Sequence, residues 1–281
     1  MNALQIINLG TKKLMQKKIE TSRLDSEILL SKILNKKREE VLVNLEQEIC
    51  KENLYKYKKL IQRRLLNEPI AYILNEKEFW SKNFYVTTDT LIPRPETELM
   101  VEKLIKIFKK KKISILDIGT GSGCILISLL GEIKNAKGVG IDISKKALLI
   151  AEYNSKRFKM QNKINFINKS LESKFNQKFD LIVSNPPYIE SEQIENLQED
   201  VKKYEPRIAL DGGNDGLDLI KKVIYKAKYI LNNEGMLALE IGNEQFEKVS
   251  KILINKNFKI ETIIKDYKDN IRCIISTYIG N

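Results

Sequence analysis

From residue 113 onward, short apolar runs alternate with helical sequence, and this alternation constrains the fold more than any other feature of the chain. The runs that predict buried strands are 113–118, 137–142, 164–168, 179–184 and 236–241. Strands that alternate with helices form a doubly wound α/β sheet, in which most strands are parallel. Two last runs, 258–264 and 271–278, are joined by a loop too short for a crossover helix, so we predict that they pair antiparallel.

The first 74 residues have a helical pattern instead. The segment TSRLDSEILLSKILN (21–35) offers Thr21 or Ser22 as an N-cap. Its apolar residues fall mostly at helical spacing: Leu24, Ile28, Leu29, Ile33 and Leu34. A second helical segment, 51–69, is stopped by Pro69. This part of the sequence has no glycine-rich loop and no cluster of ionisable residues, which predicts a small helical bundle for substrate recognition.

The join between the two parts has a composition of its own. Residues 75–91 are aromatic and β-branched, as expected of a β-hairpin or linker. The next helix is predicted to open near Glu96. We therefore predict a helical recognition domain at 1–74, a hairpin or linker at 75–91, and an α/β domain at 92–281.

Composition excludes several classes of function. Histidine is absent, so hydrolysis that depends on a histidine base is excluded. The three cysteines, at 50, 124 and 273, form no CxxC pair, which predicts reduced thiols and no metal site. No apolar run approaches the roughly 18 residues that span a bilayer, and the N-terminus lacks the pattern of a signal peptide. These features predict a cytoplasmic protein without membrane association.

The formal net charge of the chain is +12, from 49 basic and 37 acidic residues. Such a charge is compatible with a polyanionic partner. The basic residues form no single dominating patch along the sequence, so we favour a generally solvated basic surface as the interpretation.

A glycine-rich stretch, LDIGTGSGC, follows the first predicted strand and contains Gly119, Gly121 and Gly123. Glycines allow a tight turn and a close approach of the backbone to a ligand. The spacing GxGxG differs from the GxGxxG of dinucleotide-binding loops, and no lysine follows as in a P-loop. Asp117 precedes the loop, where an acid would repel a phosphate but would suit an ammonium group. For Asp117 alone, a structural capping role stays open as the alternative.

A second acid, Asp142, ends the next predicted strand. An acid in this position can accept hydrogen bonds from both hydroxyls of a ribose. S-adenosylmethionine has an amino-acid head, a ribose and no phosphate, and we predict that the loop 119–123 and Asp142 bind it. The alternative is a structural glycine turn with two capping acids, which we favour much less for these residues taken together.

The segment SNPPYIE follows the strand 179–184 and places Asn185 at the carboxyl edge of the sheet, where ligands bind in doubly wound folds. Pro186 and Pro187 end the strand and stiffen the turn. An amide or exocyclic amino nitrogen is a poor nucleophile because its lone pair is delocalised, so its two N–H bonds need acceptors that hold it towards a methyl donor. The Asn185 side-chain oxygen and the Pro186 carbonyl can supply both, and Tyr188 offers a flat face for stacking. We therefore predict methyl transfer to a nitrogen of a planar group, with Asn185, Pro186 and Tyr188 as the catalytic residues.

Other hypotheses fit parts of this pattern. Adenine N6-methyltransferases use similar tetrads, and the +12 charge favours an RNA or DNA substrate, but the chain has no separate target-recognition module. A non-catalytic module that binds S-adenosylmethionine is a third hypothesis, and it leaves the intact NPPY tetrad unexplained. A strand that is merely ended by prolines, with a surface tyrosine, explains the tetrad but not its combination with the glycine loop.

Over nearly its whole length the sequence resembles the peptide chain release factor glutamine N5-methyltransferases, the PrmC/HemK family. The resemblance rests on LDSEILLSKIL and RRLLNEPIAYIL in the helical part, EFWSKNFYVTTDTLIPRPETELMVE at the join, and LDIGTGSG, GIDIS, SNPPYIE, YEPRIALDGGNDGL, EIGNEQ and KDYKDNIR beyond it. It implies a Rossmann-like S-adenosylmethionine-dependent methyltransferase domain preceded by a small helical-bundle domain. It also implies methylation of the side-chain amide of the glutamine in the GGQ motif of class 1 release factors.

The resemblance also assigns residues. It implies cofactor binding by Asp117, Gly119, Thr120, Gly121, Ser122, Gly123, Asp142, Leu171 and Asn185. It implies substrate binding by Asn185, Pro186, Pro187 and Tyr188. The family often has an acid beside the residue that covers the adenine, whereas this chain has Lys169-Ser170-Leu171. Leu171 can pack on the purine or belong to the ordinary core.

The resemblance also bears on two further stretches of the sequence, the RPETE segment and the turn at Asn75. It implies that Arg94, Glu96 and Glu98 lie near the active site, although both glutamates would also favour a helix N-terminus. Asn75 stands where the family usually has a glycine, at a turn where asparagine also tolerates a positive φ.

Cofactor and partners follow from the same resemblance. It implies S-adenosylmethionine, released as S-adenosylhomocysteine, and no metal. The implied partners are class 1 release factors, with no membrane and no required contact with nucleic acid, and the chain is expected to be a monomer.

Overall fold

A computed structural model of the chain describes residues 1–280, which form two compact units. The first unit contains Met1–Asn75 and Glu199–Tyr204, and the second contains Glu76–Gln198 and the chain from Glu205 onward. The helices are α1 (Ala3–Gln16), α2 (Ser22–Leu34), α3 (Arg38–Val43), α4 (Lys51–Leu65), α5 (Ile70–Leu74), α6 (Pro95–Phe108), α7 (Cys124–Glu132), α8 (Lys145–Arg157), α9 (Glu199–Tyr204), α10 (Asp218–Ile230) and α11 (Phe246–Asn255). The strands are β1 (Glu76–Phe79), β2 (Lys82–Tyr85), β3 (Ser114–Ile118), β4 (Lys137–Asp142), β5 (Ile164–Asn168), β6 (Phe179–Ser184), β7 (Leu231–Glu240), β8 (Phe258–Lys265) and β9 (Ile271–Tyr278).

The first unit is a helical bundle with its own apolar core. The helices predicted at 21–35 and 51–69 are present as α2 and α4, with Thr21 at the N-cap of α2 but without a side-chain hydrogen bond. The helices approach closely at Gly10 of α1, where an added Cβ would lie only 2.0 Å from the Tyr57 hydroxyl oxygen. Tyr57 is buried, and its hydroxyl pairs with that of Ser26 at 2.5 Å. The segment 199–204, which the predicted boundaries assign to the α/β domain, belongs to this bundle, and the Tyr204 hydroxyl donates to the Leu66 carbonyl at 3.0 Å.

The face that α2 buries differs from the predicted one. Leu24 is 41% exposed, whereas Asp25 and Ser26 are buried. Asp25 accepts a hydrogen bond from Arg64 Nε at 2.7 Å, and the Ser26 hydroxyl donates to the Ile7 carbonyl at 2.8 Å. Buried polar groups are tolerated when they are paired. The helix therefore turns a paired polar strip inward, which apolar periodicity does not detect.

The second unit begins with the hairpin of β1 and β2, which lies within the segment 75–91 that was predicted as a hairpin or linker. Asn75, just before the hairpin, has a φ of 56°, so the turn does use the left-handed conformation that asparagine tolerates. The helix predicted near Glu96 is α6, and it starts at Pro95, a residue that suits the first turn because it lacks an N–H group.

The large sheet has seven strands in the order β5-β4-β3-β6-β7-β9-β8. β3 through β7 pair in parallel, and β9 pairs antiparallel with both β7 and β8, as predicted for the last two runs. The strand order reverses between β3 and β6, which are direct neighbours. In doubly wound sheets this switch point is where ligands bind, outside the carboxyl ends of the strands.

The central strands of the sheet are buried on both faces, which explains why they appear in the sequence as continuous apolar runs. Ile115 and Leu181 belong to the core beneath α6 and α7. Their neighbours Leu116 and Ile182 belong to the core beneath α10 and α11. This alternation is the two-residue period of a strand.

Strand β7 is longer than predicted. It starts at Leu231 rather than at 236, and its pairing with β6 shifts register between Phe179 and Leu181. Glu234 in its first half has a φ of 59°. The early part of β7 is therefore irregular and polar, and the apolar pattern detected only the regular part.

Candidate active site

The glycine loop between β3 and α7 turns bare backbone towards open space. Gly119, Gly121 and Gly123 have φ values of 72°, 55° and 79°. A Cβ built on Gly119 would have no heavy atom within 4 Å beyond its chain neighbours, and one on Gly121 would have its nearest at 3.9 Å. The loop thus combines a conformation that glycine adopts most easily with a surface that a ligand can approach closely.

The backbone N–H groups of this loop point into the protein. Those of Gly119 and Thr120 donate to the Ile141 carbonyl at 2.9 and 3.0 Å. That of Gly121 donates to Asp142 Oδ2 at 3.0 Å. A phosphate-binding loop directs its N–H groups at the ligand instead. The loop therefore suits a ligand whose bound part carries no phosphate.

Asp117 lies in β3, just before the loop, and is 1% exposed. Its Oδ2 accepts a hydrogen bond from the Thr120 hydroxyl at 2.7 Å, whereas Oδ1 is buried and has no hydrogen-bond partner among residues 1–280. Burial, with a smaller contribution from the charge of Asp142, raises the pKa of Asp117 to about 7. A buried acid with an unpaired oxygen is costly unless a donor or a cation reaches it.

Asp142 ends β4 beside the loop. Its Oδ1 accepts a hydrogen bond from the Ser144 N–H at 2.9 Å, and its Oδ2 accepts the one from Gly121. These bonds fix the carboxylate, and each oxygen keeps a further lone pair for a hydroxyl donor. Burial raises the pKa of Asp142 above its ordinary value.

A cavity of about 370 Å³ connects the predicted sites, and this volume lies within the range of small-molecule sites. The loop 119–122, Asp142, the segment 169–172 and the turn 185–187 line it. The structure therefore brings most of the predicted cofactor residues and most of the predicted substrate residues to one cavity at the switch point of the sheet.

Three predicted site residues do not line this cavity: Asp117, Gly123 and Tyr188. Thr120, which donates to Asp117 Oδ2, does line it, so Asp117 lies one hydrogen bond behind a residue of the cavity wall. Leu171 lines the cavity and is also packed in the core beside α10, so the two roles considered for it are compatible.

The NPPY turn is held by the segment DGGNDG (211–216), whose role the sequence alone did not show. The Gly212 N–H donates to the Ile189 carbonyl at 2.8 Å. A Cβ on Gly216 would lie 2.4 Å from the Tyr188 carbonyl oxygen, so backbone packs directly on backbone. Gln245 Nε2 donates to that same carbonyl at 3.0 Å. The turn is therefore rigid because two other segments fix it, in addition to its two prolines.

Asn185 directs its amide nitrogen into the protein. Nδ2 donates to Thr97 Oγ1 at 3.4 Å. No donor from residues 1–280 reaches Asn185 Oδ1 or the Pro186 carbonyl oxygen. Both residues line the cavity. The two acceptors that the sequence predicted are thus available to a ligand.

Tyr188 occupies a different place from the one expected. Its hydroxyl donates to Glu240 Oε1 at 3.3 Å and accepts a hydrogen bond from Arg272 Nη2 at 2.9 Å. The Arg272 guanidinium lies 5.5 Å from the ring centre. Burial and the charge of Glu240 raise the pKa of Tyr188, so the phenol stays protonated. The expectation that this ring stacks on the substrate finds no support in the geometry, because the ring packs on Arg272 away from the cavity wall.

Glu240 is a residue of the site region to which the sequence reasoning gave no role. It ends β7, is fully buried, and accepts a hydrogen bond from the Thr97 hydroxyl at 2.5 Å. Burial raises the pKa of Glu240, while the Thr97 hydroxyl and the charge of Arg272 act in the opposite direction. An acid at the end of a buried strand, as at Asp142, was the signal that could have found it.

The RPETE segment contributes through its arginine more than through its glutamates. Arg94 lines the cavity and forms an ion pair with Glu205, with Nη2 and Oε1 2.7 Å apart. Glu98 accepts a hydrogen bond from the Trp80 N–H at 3.2 Å and so ties α6 to the hairpin. Neither Glu96 nor Glu98 lines the cavity.

No helix within residues 1–280 is both long enough and apolar enough to cross a membrane. Across the same described part of the chain, no three cysteine, aspartate or glutamate residues are grouped so that they could hold a metal ion.

The residues around the cavity fit S-adenosylmethionine. The bare glycine backbone gives room for a close ligand, the N–H groups of Gly119, Thr120 and Gly121 turn away from it, and the unpaired Asp117 oxygen suits a nearby cation. Together with a doubly wound sheet that ends in an antiparallel strand, they define an S-adenosylmethionine-dependent methyltransferase.

Comparison with known proteins identifies the family. Residues 5–74 match the PrmC N-terminal domain, and residues 95–203 match the methyltransferase small domain. The release factor glutamine methyltransferase of Buchnera aphidicola subsp. Schizaphis graminum is 41% identical over 268 residues, 95% of this chain and 97% of that protein. The release factor glutamine methyltransferase of Fusobacterium nucleatum is 39% identical over 277 residues, 97% of this chain and 78% of that protein. The chain belongs to the release factor glutamine methyltransferase family.

Two further comparisons bear on fold and length. A methyltransferase from Pyrococcus furiosus has a solved structure that matches with a TM-score of 0.54 at 19% identity, over 78% of this chain and 98% of that one, and it supports the fold. The chain spans 56% of the length of the bifunctional methyltransferase of Rickettsia typhi, to which it is 38% identical.

Proposed function

We propose that this chain methylates the side-chain amide nitrogen, N5, of the glutamine in the GGQ motif of class 1 peptide chain release factors. The observation that carries the proposal is the turn at Asn185 and Pro186. Two oxygen acceptors that receive no hydrogen bond from any residue in 1–280 lie on one rigid turn at the cavity. A primary amide has two N–H bonds, and two fixed acceptors match them. The names of the relatives support glutamine as the source of that amide.

The cofactor residues follow from the same cavity. S-adenosylmethionine supplies an electrophilic methyl group on its sulfonium. We assign the loop 119–123 to its amino-acid part, Asp142 to its ribose hydroxyls and Leu171 to its adenine. Asp117 supplies negative charge behind Thr120, and no metal takes part.

Asn185 and Pro186 prepare the nucleophile. Their oxygens accept the two N–H bonds of the substrate amide and so hold its nitrogen towards the methyl donor. They also stabilise positive charge as it develops on that nitrogen. When the new N–C bond has formed, the nitrogen carries one proton in excess and is strongly acidic, so it can lose that proton to water. No histidine base is needed.

The helical unit is proposed to recognise the release factor. The match of residues 5–74 to the PrmC N-terminal domain supports a role specific to this family. The chain is proposed to act as a monomer, without direct contact to nucleic acid, in the cytoplasm where release factors work.

The proposal is tested by methyl transfer from labelled cofactor. The substrates are a purified class 1 release factor, the same factor with the GGQ glutamine changed to alanine, and adenine-containing RNA and DNA. We expect label only in the release factor that keeps its GGQ glutamine, and mass spectrometry of the GGQ peptide should place the label on the glutamine side chain.

Label in the nucleic acid would support the adenine alternative, which the +12 charge favours. Label in the glutamine-to-alanine factor would show a different target residue. Tight cofactor binding without transfer to any of these substrates would support a non-catalytic module.

A further inference from the structure

A buried chain of hydrogen bonds stands behind the Asn185 amide. Asn185 Nδ2 donates to Thr97 Oγ1 at 3.4 Å, and the Thr97 hydroxyl donates to Glu240 Oε2 at 2.5 Å. Thr97 is 2% exposed and Glu240 is 0% exposed. These residues come from α6, β7 and the turn after β6, so only the folded chain brings them together.

The direction of this chain is set by Glu240. A threonine hydroxyl has one hydrogen and two lone pairs. Because its hydrogen is directed to Glu240, Thr97 faces Asn185 with a lone pair and can only accept from it. The amide therefore turns its NH₂ group to Thr97, which leaves Oδ1 for the cavity.

Glu240 is itself held in place on its other side. Its Oε1 accepts a hydrogen bond from Tyr188, and Arg272 donates to the Tyr188 hydroxyl. Both oxygens of the carboxylate are thus engaged, one towards each end of the NPPY tetrad. Because both oxygens of this buried carboxylate have donors, it holds Thr97 and Tyr188 in one arrangement, although Arg272 Nε is buried without a partner among residues 1–280.

The orientation matters because the two ends of an asparagine amide are similar in size and opposite in hydrogen bonding. With its NH₂ group towards the cavity, Asn185 would place a hydrogen-bond donor opposite the N–H donors of the substrate amide, and no hydrogen bond could form. With Oδ1 towards the cavity, it offers an acceptor. The proposed function requires the second orientation, and the present inference rests on it.

We infer that Thr97, fixed by Glu240, is a positioning residue that holds the Asn185 amide with its oxygen towards the substrate. Thr97 does not accept a substrate proton or contact the methyl group in this role. The bond at 3.4 Å is longer than the usual N–H···O range of about 2.7–3.2 Å, so Thr97 selects the orientation of the amide with a weak hydrogen bond. This gives the threonine of RPETE a function that helix capping does not explain.

The test compares Thr97→Val, which removes the hydroxyl at nearly constant shape, with Thr97→Ser, which keeps it. The first readout needs no substrate: side-chain amide resonances in asparagine-labelled protein, with those of Asn185 assigned by their loss in Asn185→Ala. We expect Thr97→Val to shift the Asn185 signals and speed their hydrogen exchange, and Thr97→Ser to leave them close to wild type.

The second readout is single-turnover methylation of release factor at saturating cofactor. Loss of one hydrogen bond is expected to slow turnover about three- to tenfold in Thr97→Val. The loss should appear in the maximal rate more than in the half-saturating substrate concentration. Thr97→Ser should recover to within about twofold, and cofactor affinity should be unchanged in both variants.

Unchanged Asn185 resonances in Thr97→Val would overturn the inference, as would a Thr97→Ser variant no better than Thr97→Val in either readout. If the wild-type enzyme methylates no release factor, the proposed function fails. The amide resonances then still decide whether Thr97 orients Asn185.

Discussion

Binding of S-adenosylmethionine is predicted to release a proton from Asp117. The carboxyl is buried, its Oδ1 has no partner among residues 1–280, and its pKa is raised to about 7. At about pH 6.5, a group with this pKa is about three-quarters protonated. A cation nearby lowers a carboxyl pKa by about 1–3 units. We take about one unit because Thr120 separates Asp117 from the cavity, and this leaves about one-quarter protonated.

The expected release is therefore about half a proton for each cofactor bound at about pH 6.5. Isothermal titration calorimetry in two buffers with different ionisation enthalpies measures this number directly. The amino group of the cofactor is an α-amine with an ordinary pKa near 8, so it is already charged at this pH and adds little to the count. Asp117→Asn is the matched control, and it should release almost no proton.

The same pKa fixes the sign of two pH effects. Ionised Asp117 attracts the cofactor, so affinity should be full above about pH 7 and fall as the pH drops through this value. In the ligand-free protein a raised carboxyl pKa stabilises the fold at low pH, and this contribution is lost as the pH rises from about 4 to about 7. The difference between the ordinary carboxyl pKa near 4 and the raised pKa of about 7 corresponds to a loss on the order of 4 kcal/mol in the free energy of unfolding. Urea unfolding of wild type and Asp117→Asn should therefore diverge over that range.

Equal proton release by wild type and Asp117→Asn would refute this reasoning. It would assign Asp117 to the structural role that the sequence left open, as a cap for Thr120. A pH-independent affinity between about pH 5.5 and 7.5 would lead to the same conclusion.

Four further results are expected. Asp142→Ala should weaken cofactor binding by about 1.5–3 kcal/mol in calorimetry, because the substitution removes charge-assisted hydrogen bonds. Unchanged affinity would show that Asp142 does not bind the cofactor. Asn185→Ala should slow single-turnover methylation by about 10²–10³-fold with cofactor binding retained, while Asn185→Asp keeps an acceptor and should stay above it; near-normal turnover of the alanine variant would contradict the mechanism. Tyr188→Phe should lower the free energy of unfolding by about 1–3 kcal/mol, since Glu240 loses a donor, and should slow turnover far less than Asn185→Ala does; a large rate loss would restore a direct role for the hydroxyl. A chain reduced to 76–281 should bind cofactor but not methylate release factor, and full activity would refute recognition by the helical unit.

The central strands of the sheet could be predicted because they are buried on both faces, whereas the edge strands β5 and β8 carry apolar residues between exposed polar ones. The runs at 137–142, 164–168 and 179–184 coincide with β4, β5 and β6. The start of β7 was missed because Asn232 to Gly235 are mostly polar and Glu234 takes a left-handed φ. The buried face of α2 was misjudged for a related reason, since Asp25 is buried only because Arg64 lies against it. That partner is remote in the sequence.

The candidate site divides in the same way. The sequence predicts the glycine loop, Asp142 and the NPPY turn as candidate site residues, because each is a local motif that a few adjacent residues define. Thr97, Glu240 and Arg272 were not assigned roles, because each matters only through contacts with another strand, helix or turn. The contact of Tyr188 with the remote Arg272 could not be predicted for the same reason, and the stacking role of its ring stays a prediction.

The three buried acids of this edge of the sheet differ in how their charge is balanced, and the difference bears on their roles. Burial raises the pKa of Glu240, but the charge of Arg272 and donors on both of its oxygens favour the ionised form and act against that shift. Asp142 has backbone N–H donors on both oxygens. Asp117 has one hydroxyl donor, a neighbouring negative charge and an unpaired oxygen.

An acid that is balanced internally can hold other side chains in place, as Glu240 holds Thr97. An acid that is left unbalanced lowers stability until a cation arrives, so a ligand with an ammonium group should stabilise this protein more than one of similar shape without it. S-adenosylhomocysteine carries the same α-ammonium group as the methyl donor, and its deaminated analogue lacks it, so the effects of these two compounds on the melting temperature at equal saturation provide that comparison. A larger increase with S-adenosylhomocysteine than with the deaminated analogue in wild type, and a smaller difference in Asp117→Asn, is the expected pattern, whereas the same difference in both proteins would contradict it.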